Sequence, residues 1–355
     1  MKVAIDVREF QRGKKTGIGR MLYDFILNSY KYEPDISLLL LGDEYSEIPF
    51  KLPSNCSFSV YRFPYSFIWD QLAPLLAWRK NNFNIYFSPY YKKSFFLPVP
   101  SVITVCDLTG IDYPENFFQK NILPLLIRLC ALGTRTLTIS DSSAKRLKEL
   151  GIKKTYRVYP AVEIRLDINS AVYPEIIESG KKYFFSIGDN RRHKNMDFLI
   201  RAYGYLPSYL KKEFSLVIAG GSEKHIKKLP DSGEIFSVGA VSDIELYGLY
   251  SKASLFIFPS LSEGFGLTPL EAMSFGCPVL SSRNPAMPEV LSDAAAYFNP
   301  LDAQDFARNI TALVYDNSRL AELSRKGKER AAFFSKENFC RGLIEIFKEA
   351  IGCAQ

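Results

Sequence analysis

Short apolar blocks alternate with stretches of helical period along almost the whole chain. Residues 2–7, 37–41, 84–87, 101–105, 136–139 and 156–159 are runs of valine, isoleucine, leucine and aromatics bounded by glycine, proline, aspartate or serine. Such runs read as strands covered on both faces, the pattern of a parallel sheet. Between them, Met21, Leu22, Phe25 and Ile26 give residues 17 onward a helical stripe, residues 117–132 form a Leu- and Ile-rich helix, and Ser140 to Ser143 cap a helix over 144–150. The rhythm then restarts. Residues 182–188, 216–221, 235–239 and 255–258 are strand blocks, with helices expected over 196–206, 245–250, 303–315, 320–333 and 336–351. Strand and helix alternating through two separate halves predict an α/β chain with two parallel sheets. The boundaries fall at 1–163, a polar linker at 164–180 containing Pro174, a second domain at 181–335, and a terminal helix at 336–355.

Composition fits that picture and narrows the partners. The chain has 355 residues, enough for two cores, with 47% hydrophobic and 23% charged residues. Its net charge of +7 suits anionic partners. A nucleotide, a lipid diphosphate and an anionic membrane face all qualify, whereas no helix-turn-helix, zinc-finger or aromatic-basic pattern supports nucleic acid. Six cysteines without a CxxC pair, and two histidines, read as reduced packed thiols rather than a zinc site. The first residues enter a strand at once, and no run of about 18 apolar residues follows, so a cytoplasmic protein is the expectation. Residues 58–80, with Ile68, Trp69, Leu72, Leu75, Leu76 and Trp78, form either a buried helix or an amphipathic face that touches a membrane through Trp and basic residues.

The chemistry concentrates in residues 254–282. After the strand 255–258, Gly264 and Gly266 bracket Phe265 in a tight loop, and Thr268 and Pro269 stand where a helix begins. Strand, glycine loop and helix start make a cradle of backbone N–H groups that favours phosphate or diphosphate. Glu263 and Glu271 flank it, with the seven residues 264–270 between them. A second glycine turn, Thr16-Gly17-Ile18-Gly19-Arg20, follows the first strand; it either binds phosphate or permits close packing of loop and helix.

The stretch EGFGLTPLEAMSFGCPVL resembles the E-x7-E signature of retaining glycosyltransferases built from two Rossmann-like domains, the GT-B type. IDVREF and TGIGR are similar to the amino-terminal IDAR and TGIGRY of the same family, and Cys106-Asp107-Leu108 with Tyr113-Pro114-Glu115 to its V-H-D-L and YPE. The resemblance implies two domains facing each other across a cleft, with the terminal helix crossing back to the first. It implies transfer of a sugar, of mannose or rhamnose type, from a nucleotide-diphosphate donor to a glycan or lipid-linked acceptor in surface polysaccharide assembly, with peripheral membrane association. No metal and no further cofactor is expected, the nucleotide sugar being a substrate.

Residue by residue, Glu263 is expected to contact sugar hydroxyls, Leu267 and Thr268 to offer N–H groups to the diphosphate, and Glu271 to accept from ribose hydroxyls. Gly188 ends the strand that precedes the basic segment, where Lys194 matches the family's lysine. Val238 lies at the strand end that receives the donor base, and Gly17 and Gly19 line the cleft. Two departures stand out. The family's arginine after Gly188 is Asp189 here, leaving Arg191 or Arg192 to supply the charge, and its histidine is Cys106, a weak hydrogen-bond donor. Asp107 then either binds sugar or acceptor hydroxyls or caps local N–H groups. The rival readings are a nucleotide-sugar-binding protein without turnover and a nicotinamide-dependent oxidoreductase; a tight G-x-G-x-x-G with an acidic residue about 20 positions on, which the latter needs, is missing.

Overall fold

The computed structural model describes residues 1–14, 16–162, 180–221 and 234–352. Glu163, the linker expected at 164–180 save for Gly180, and Cys353 lie outside the described residues. Two units emerge, one formed by Met1–Ala161 with Phe334–Gln355 and the other by Val162–Phe333.

In the first unit the chain runs β1 (Lys2–Asp6), α1 (Gly17–Tyr32), β2 (Ser37–Gly42), β3 (Cys56–Val60), α2 (Ser66–Asn81), β4 (Ile85–Ser88) and β5 (Ser101–Thr104). It continues through α3 (Thr109–Asp112), a π-helical turn at Phe118–Ile122, α4 (Leu123–Ala131), β6 (Arg135–Thr138), α5 (Asp141–Glu149) and β7 (Thr155–Arg157). These strands form one sheet in the order β3-β2-β1-β4-β5-β6-β7, each pair parallel. Apolar side chains cover both its faces, which is why the strand blocks show no alternation. On one face Met21, Leu22, Phe25 and Ile26 of α1 pack with Phe339, Leu343 and Phe347 of the last helix. Phe25 stands edge-on to Phe339 and Phe347, with ring centres 6.4 and 5.7 Å away. The other face is filled by Trp69, Ala73 and Ala77 of α2, and Trp69 Nε1 donates to the carbonyls of Gly42 and Tyr61. Trp69 is therefore a core residue, while Leu72 and Leu76 of the same helix are exposed.

The second unit runs β8 (Lys182–Ile187), α6 (Met196–Gly204), α7 (Ser208–Glu213), β9 (Phe214–Ala219), β10 (Ile235–Gly239), α8 (Asp243–Lys252) and β11 (Leu255–Phe258). Then come α9 (Leu267–Ser274), β12 (Val279–Ser282), α10 (Met287–Leu291), β13 (Ala296–Phe298), α11 (Ala303–Leu313) and α12 (Asn317–Phe333). Its parallel sheet has the order β10-β9-β8-β11-β12-β13. Between α6, β13 and α11, Phe198 stacks on Phe298 and Phe306 meets both edge-on. The terminal helix, α13 (Lys336–Gly352), belongs to the first unit.

In both sheets the strand order reverses beside the first strand, between β1 and β4 and between β8 and β11. Loops leaving the carboxyl ends of such a pair diverge to opposite sides, and the crevice they leave is where open α/β sheets take ligands. Each unit therefore has one address for a site.

Candidate active site

At the β8/β11 reversal the residues form a connected structure. Gly188 leaves β8 and donates its N–H to the Ala219 carbonyl at 3.0 Å. Gly220 follows β9 with φ +87°, and a Cβ there would stand 2.7 Å from the Gly188 oxygen, so this contact admits only glycine. Beyond Gly188, Asp189 accepts from the Arg191 N–H at 3.0 Å and from its guanidinium at 2.9 Å. The turn Arg192–Lys194 then ends in Asn195, whose φ of +58° is left-handed. Asn195 Nδ2 donates to the carbonyls of Pro259 and Pro300, at the ends of β11 and β13. Leu261 N–H donates to the His193 carbonyl at 2.7 Å. Pinned this way, Lys194 places its ammonium 2.8 Å from Glu263, with side chains 19% and 14% exposed.

Past Glu263 the loop turns into α9. Gly266 takes φ +92°, which opens the helix without a side-chain cap. Leu267 and Thr268 thus start the helix with amides that no capping side chain fills, and Pro269 has no N–H to offer. Buried Phe265 anchors the loop from beneath. Glu271, one turn on, is 9% exposed and accepts from the Tyr250 hydroxyl of α8 at 3.3 Å. Val238 lies where the β9–β10 register shifts, half-buried near the end of β10.

Charge in this crevice is partly spent within it. Burial would raise the Asp189 pKa, but its hydrogen bonds with Arg191 outweigh that and hold it below the ordinary aspartate value. The position that departs from the family thus neutralises the arginine expected to compensate for it. Arg192 is exposed, and no side-chain bond engages it among the described residues. His193 is buried, and burial, helped by neighbouring Lys194 and Arg191 against Glu263, lowers its pKa below 6.5.

The first unit gathers a different set at the β1/β4 reversal. Gly17 and Gly19 lie inside the first turn of α1 rather than in a loop before it, and the Gly19 amide donates to Thr16 Oγ1 at 3.0 Å. That amide is satisfied within the protein, and a Cβ at Gly19 would meet Thr16 Oγ1 and Glu9 Cγ at ordinary contact distances of 3.4 and 3.7 Å. Buried Glu9 accepts from Thr16 Oγ1 at 2.5 Å, from the Tyr90 hydroxyl, and from Lys14 at 2.9 Å. Burial pushes the Glu9 pKa up, and these three donors bring it below the ordinary value. Cys106, after β5, is half-buried; desolvation, with Asp107 and Glu9 adding repulsion, pushes its thiol up to about 12. Asp107 is exposed and accepts from the N–H of Thr109, the first residue of the short α3, at 2.9 Å.

Sequence reasoning passed over Asn195, Tyr250, Glu9 and Tyr90. Asn195 carried a signal, because asparagine is the side chain most at home in left-handed geometry outside glycine. Tyr250 sits inside a helix read only for its packing, and its partner is 21 residues away. The turn at 283–290 is held by Asn284, which bonds the Ser260 carbonyl and the Ala286 amide, and by Arg330, which bonds the carbonyls of Glu289 and Val290.

Comparison with known proteins places this geometry. Residues 173–330 match the family described as glycosyl transferases group 1. The serotype-specific mannosyltransferase WbdA of Escherichia coli is 33% identical over 183 residues, 49% of this chain and 22% of WbdA. The chain thus covers under a quarter of that relative's length. The O-antigen chain mannosyltransferase B of Escherichia coli is 28% identical over 77% of this chain and 76% of its own. Among solved structures, HepE of Anabaena in complex with UDP-glucose superposes with a TM-score of 0.73 at 16% identity, covering 98% of this chain and 100% of HepE. At that identity the likeness establishes the fold, which is GT-B.

Proposed function

We propose that the chain, whose residues 173–330 match the group 1 glycosyl transferases and whose fold is GT-B, transfers a mannosyl- or rhamnosyl-type sugar from a nucleotide-diphosphate donor to a glycan or lipid-linked acceptor in polysaccharide assembly. The observation that carries this reading is the Lys194–Glu263 pair at the strand-order reversal, beside the uncapped start of α9. An ammonium and two backbone N–H groups suit a diphosphate, whose charge grows as the sugar–phosphate bond breaks. Glu263 and Glu271 are acceptors suited to hydroxyls, the first for the sugar and the second for a ribose diol. The mannosyltransferase relatives support the sugar, and the UDP-glucose bound to HepE supports the donor class.

In this reading the second unit holds the donor. Lys194 and the α9 amides stabilise the departing diphosphate, so no metal or other cofactor is needed, and the new bond keeps the anomeric configuration of the old one. Arg192 supplies further positive charge, since Arg191 is committed to Asp189. The acceptor falls to the first unit, around Glu9, Tyr90 and Cys106. A neutral thiol at Cys106 makes a weak contact where the family has imidazole, and within the second unit sugar positioning rests on Glu263.

The test is transfer from GDP-mannose and dTDP-rhamnose to a lipid-linked glycan acceptor, with and without chelator, reading the product's anomeric configuration by NMR. An α-linked product from an α-linked donor, formed equally with chelator, supports the proposal. An inverted linkage overturns the retaining mechanism, and loss of turnover on chelation overturns metal independence. Donor binding without any transfer favours the non-catalytic alternative.

A further inference from the structure

Tyr250 is fully buried within α8, yet its polar end meets a residue of the donor crevice. The hydroxyl donates to Glu271 Oε2 at 3.3 Å. Its ring stands edge-on to Phe185 of β8 and Phe256 of β11, with ring centres 5.4 Å away in both cases. It also stacks on Phe275, directly after α9, at 5.9 Å. β8 and β11 are the two strands of the reversal, so the ring is registered to both of them and to the helix that carries Glu271. α8 is itself tied down near both ends. A capping box of Ser242 and Glu245 closes its start, and Tyr183 of β8 donates to the Leu249 carbonyl at 2.8 Å.

A side chain needed here only for packing could be phenylalanine, as its three ring neighbours are. The hydroxyl adds a desolvation cost, which its bond to the carboxylate offsets. What the bond gives in return is orientation. A glutamate in solvent samples many rotamers, whereas Glu271 is 9% exposed and meets a hydroxyl that cannot swing away. Tyr250 takes one of the roughly four acceptor positions of the carboxylate. A fixed and poorly hydrated carboxylate is selective through what a ligand fails to supply, because each missing hydroxyl leaves an acceptor that water reaches badly.

We infer that Tyr250 is a positioning residue that sets Glu271 for a vicinal diol, so that the second unit takes donors built on ribose and discriminates against those built on deoxyribose. The inference rests on the donor reading above and sharpens it. Of the two donors named there, GDP-mannose carries the diol and dTDP-rhamnose lacks one of its hydroxyls.

Calorimetric titration of the full chain with two matched pairs, GDP with deoxy-GDP and ribothymidine diphosphate with dTDP, reads this preference without any transfer step. The parent should bind the ribose member of at least one pair about 10- to 100-fold more tightly, the range of one hydrogen bond to a charged group. Tyr250→Phe keeps the ring and its packing. It should weaken the ribose member about tenfold while the deoxyribose member binds as before. A role confined to packing would lower both members alike, or neither, and either result overturns the inference. Glu271→Gln should lose the same preference. Tyr250→Phe/Glu271→Gln should bind the ribose member no worse than Glu271→Gln alone, because the hydroxyl acts through the carboxylate; additive losses overturn that route. A parent that binds both members of each pair equally overturns the inference with no variant needed, and leaves the donor reading standing. Binding of none of the four nucleotides overturns the donor reading and this inference together.

Discussion

Replacing Lys194 with methionine, Glu263 with glutamine, and then both, separates a built ion pair from two charges that merely lie close. At 2.8 Å the pair's Coulomb attraction is about 6 kcal/mol in an effective dielectric near 20. Desolvation takes back most of that, so the measurable quantity is the cost of stranding one partner. For fully buried pairs that cost is about 3–5 kcal/mol. Both side chains keep some solvent here, 19% and 14%, so about 2–3 kcal/mol is expected for each single variant. In a domain of this size that lowers the thermal midpoint of the second unit by roughly 4–12 °C. The double variant should lose no more than the worse single one, giving a coupling of about 2 kcal/mol in the cycle. Calorimetric titration with the nucleoside diphosphate alone adds a functional arm. Lys194→Met should weaken it roughly 10- to 100-fold, the range of one charged hydrogen bond of about 1.5–3 kcal/mol. Glu263→Gln should keep or raise that affinity, because it frees the ammonium. Additive single losses, or diphosphate affinity unchanged in Lys194→Met, would refute the reasoning.

Four further outcomes follow from particular contacts. His193 has a lowered pKa in the folded chain, so its contribution is complete above about pH 6.5 and is lost as pH falls through the folded value; melts of the second unit should drop below that pH, and His193→Gln should flatten the dependence. Glu9 behaves alike in the carboxylate range, its contribution complete above about pH 4.5 and lost on further acidification, so Glu9→Gln should cost stability at neutral pH and little in acid. Gly220→Ala combines a φ of +87° with a 2.7 Å approach to a backbone oxygen, and urea unfolding should show a loss above about 1 kcal/mol. Cys106, with its thiol pushed up to about 12, should resist iodoacetamide at neutral pH until the chain is unfolded, as read by mass spectrometry of the labelled peptide.

The strand blocks were legible because burial on both faces leaves an unbroken apolar run, and β1, β2, β8, β9 and β11 fall where those runs stand. The motif around Glu263 and Glu271 was legible because its glycines and proline have local jobs, as the left-handed Gly266 and the start of α9 show. Partners distant in sequence were hidden. Nothing near Lys194 announces that Asn195 reaches Pro300, 105 residues on, or that Glu271 meets Tyr250. Asp189 looked like a lost positive charge, yet the loop folds it onto Arg191, so the segment's cationic character falls to Lys194 and Arg192. The Gly17–Gly19 turn left phosphate binding and close packing both open, and in the fold Thr16 fills the Gly19 amide. Periodicity told which residues of α4 share a face but not which face the sheet would claim.

Thermal stabilisation by a panel of nucleotide sugars, in the parent chain and in Glu271→Ala with and without chelator, tests the central claim most directly, since ligand binding raises apparent stability by mass action. One mannose- or rhamnose-type donor should shift the parent, indifferent to chelator, with the shift weakened in Glu271→Ala. A shift of equal size in Glu271→Ala would contradict the placing of the donor, and no shift with any nucleotide sugar would contradict the donor class itself.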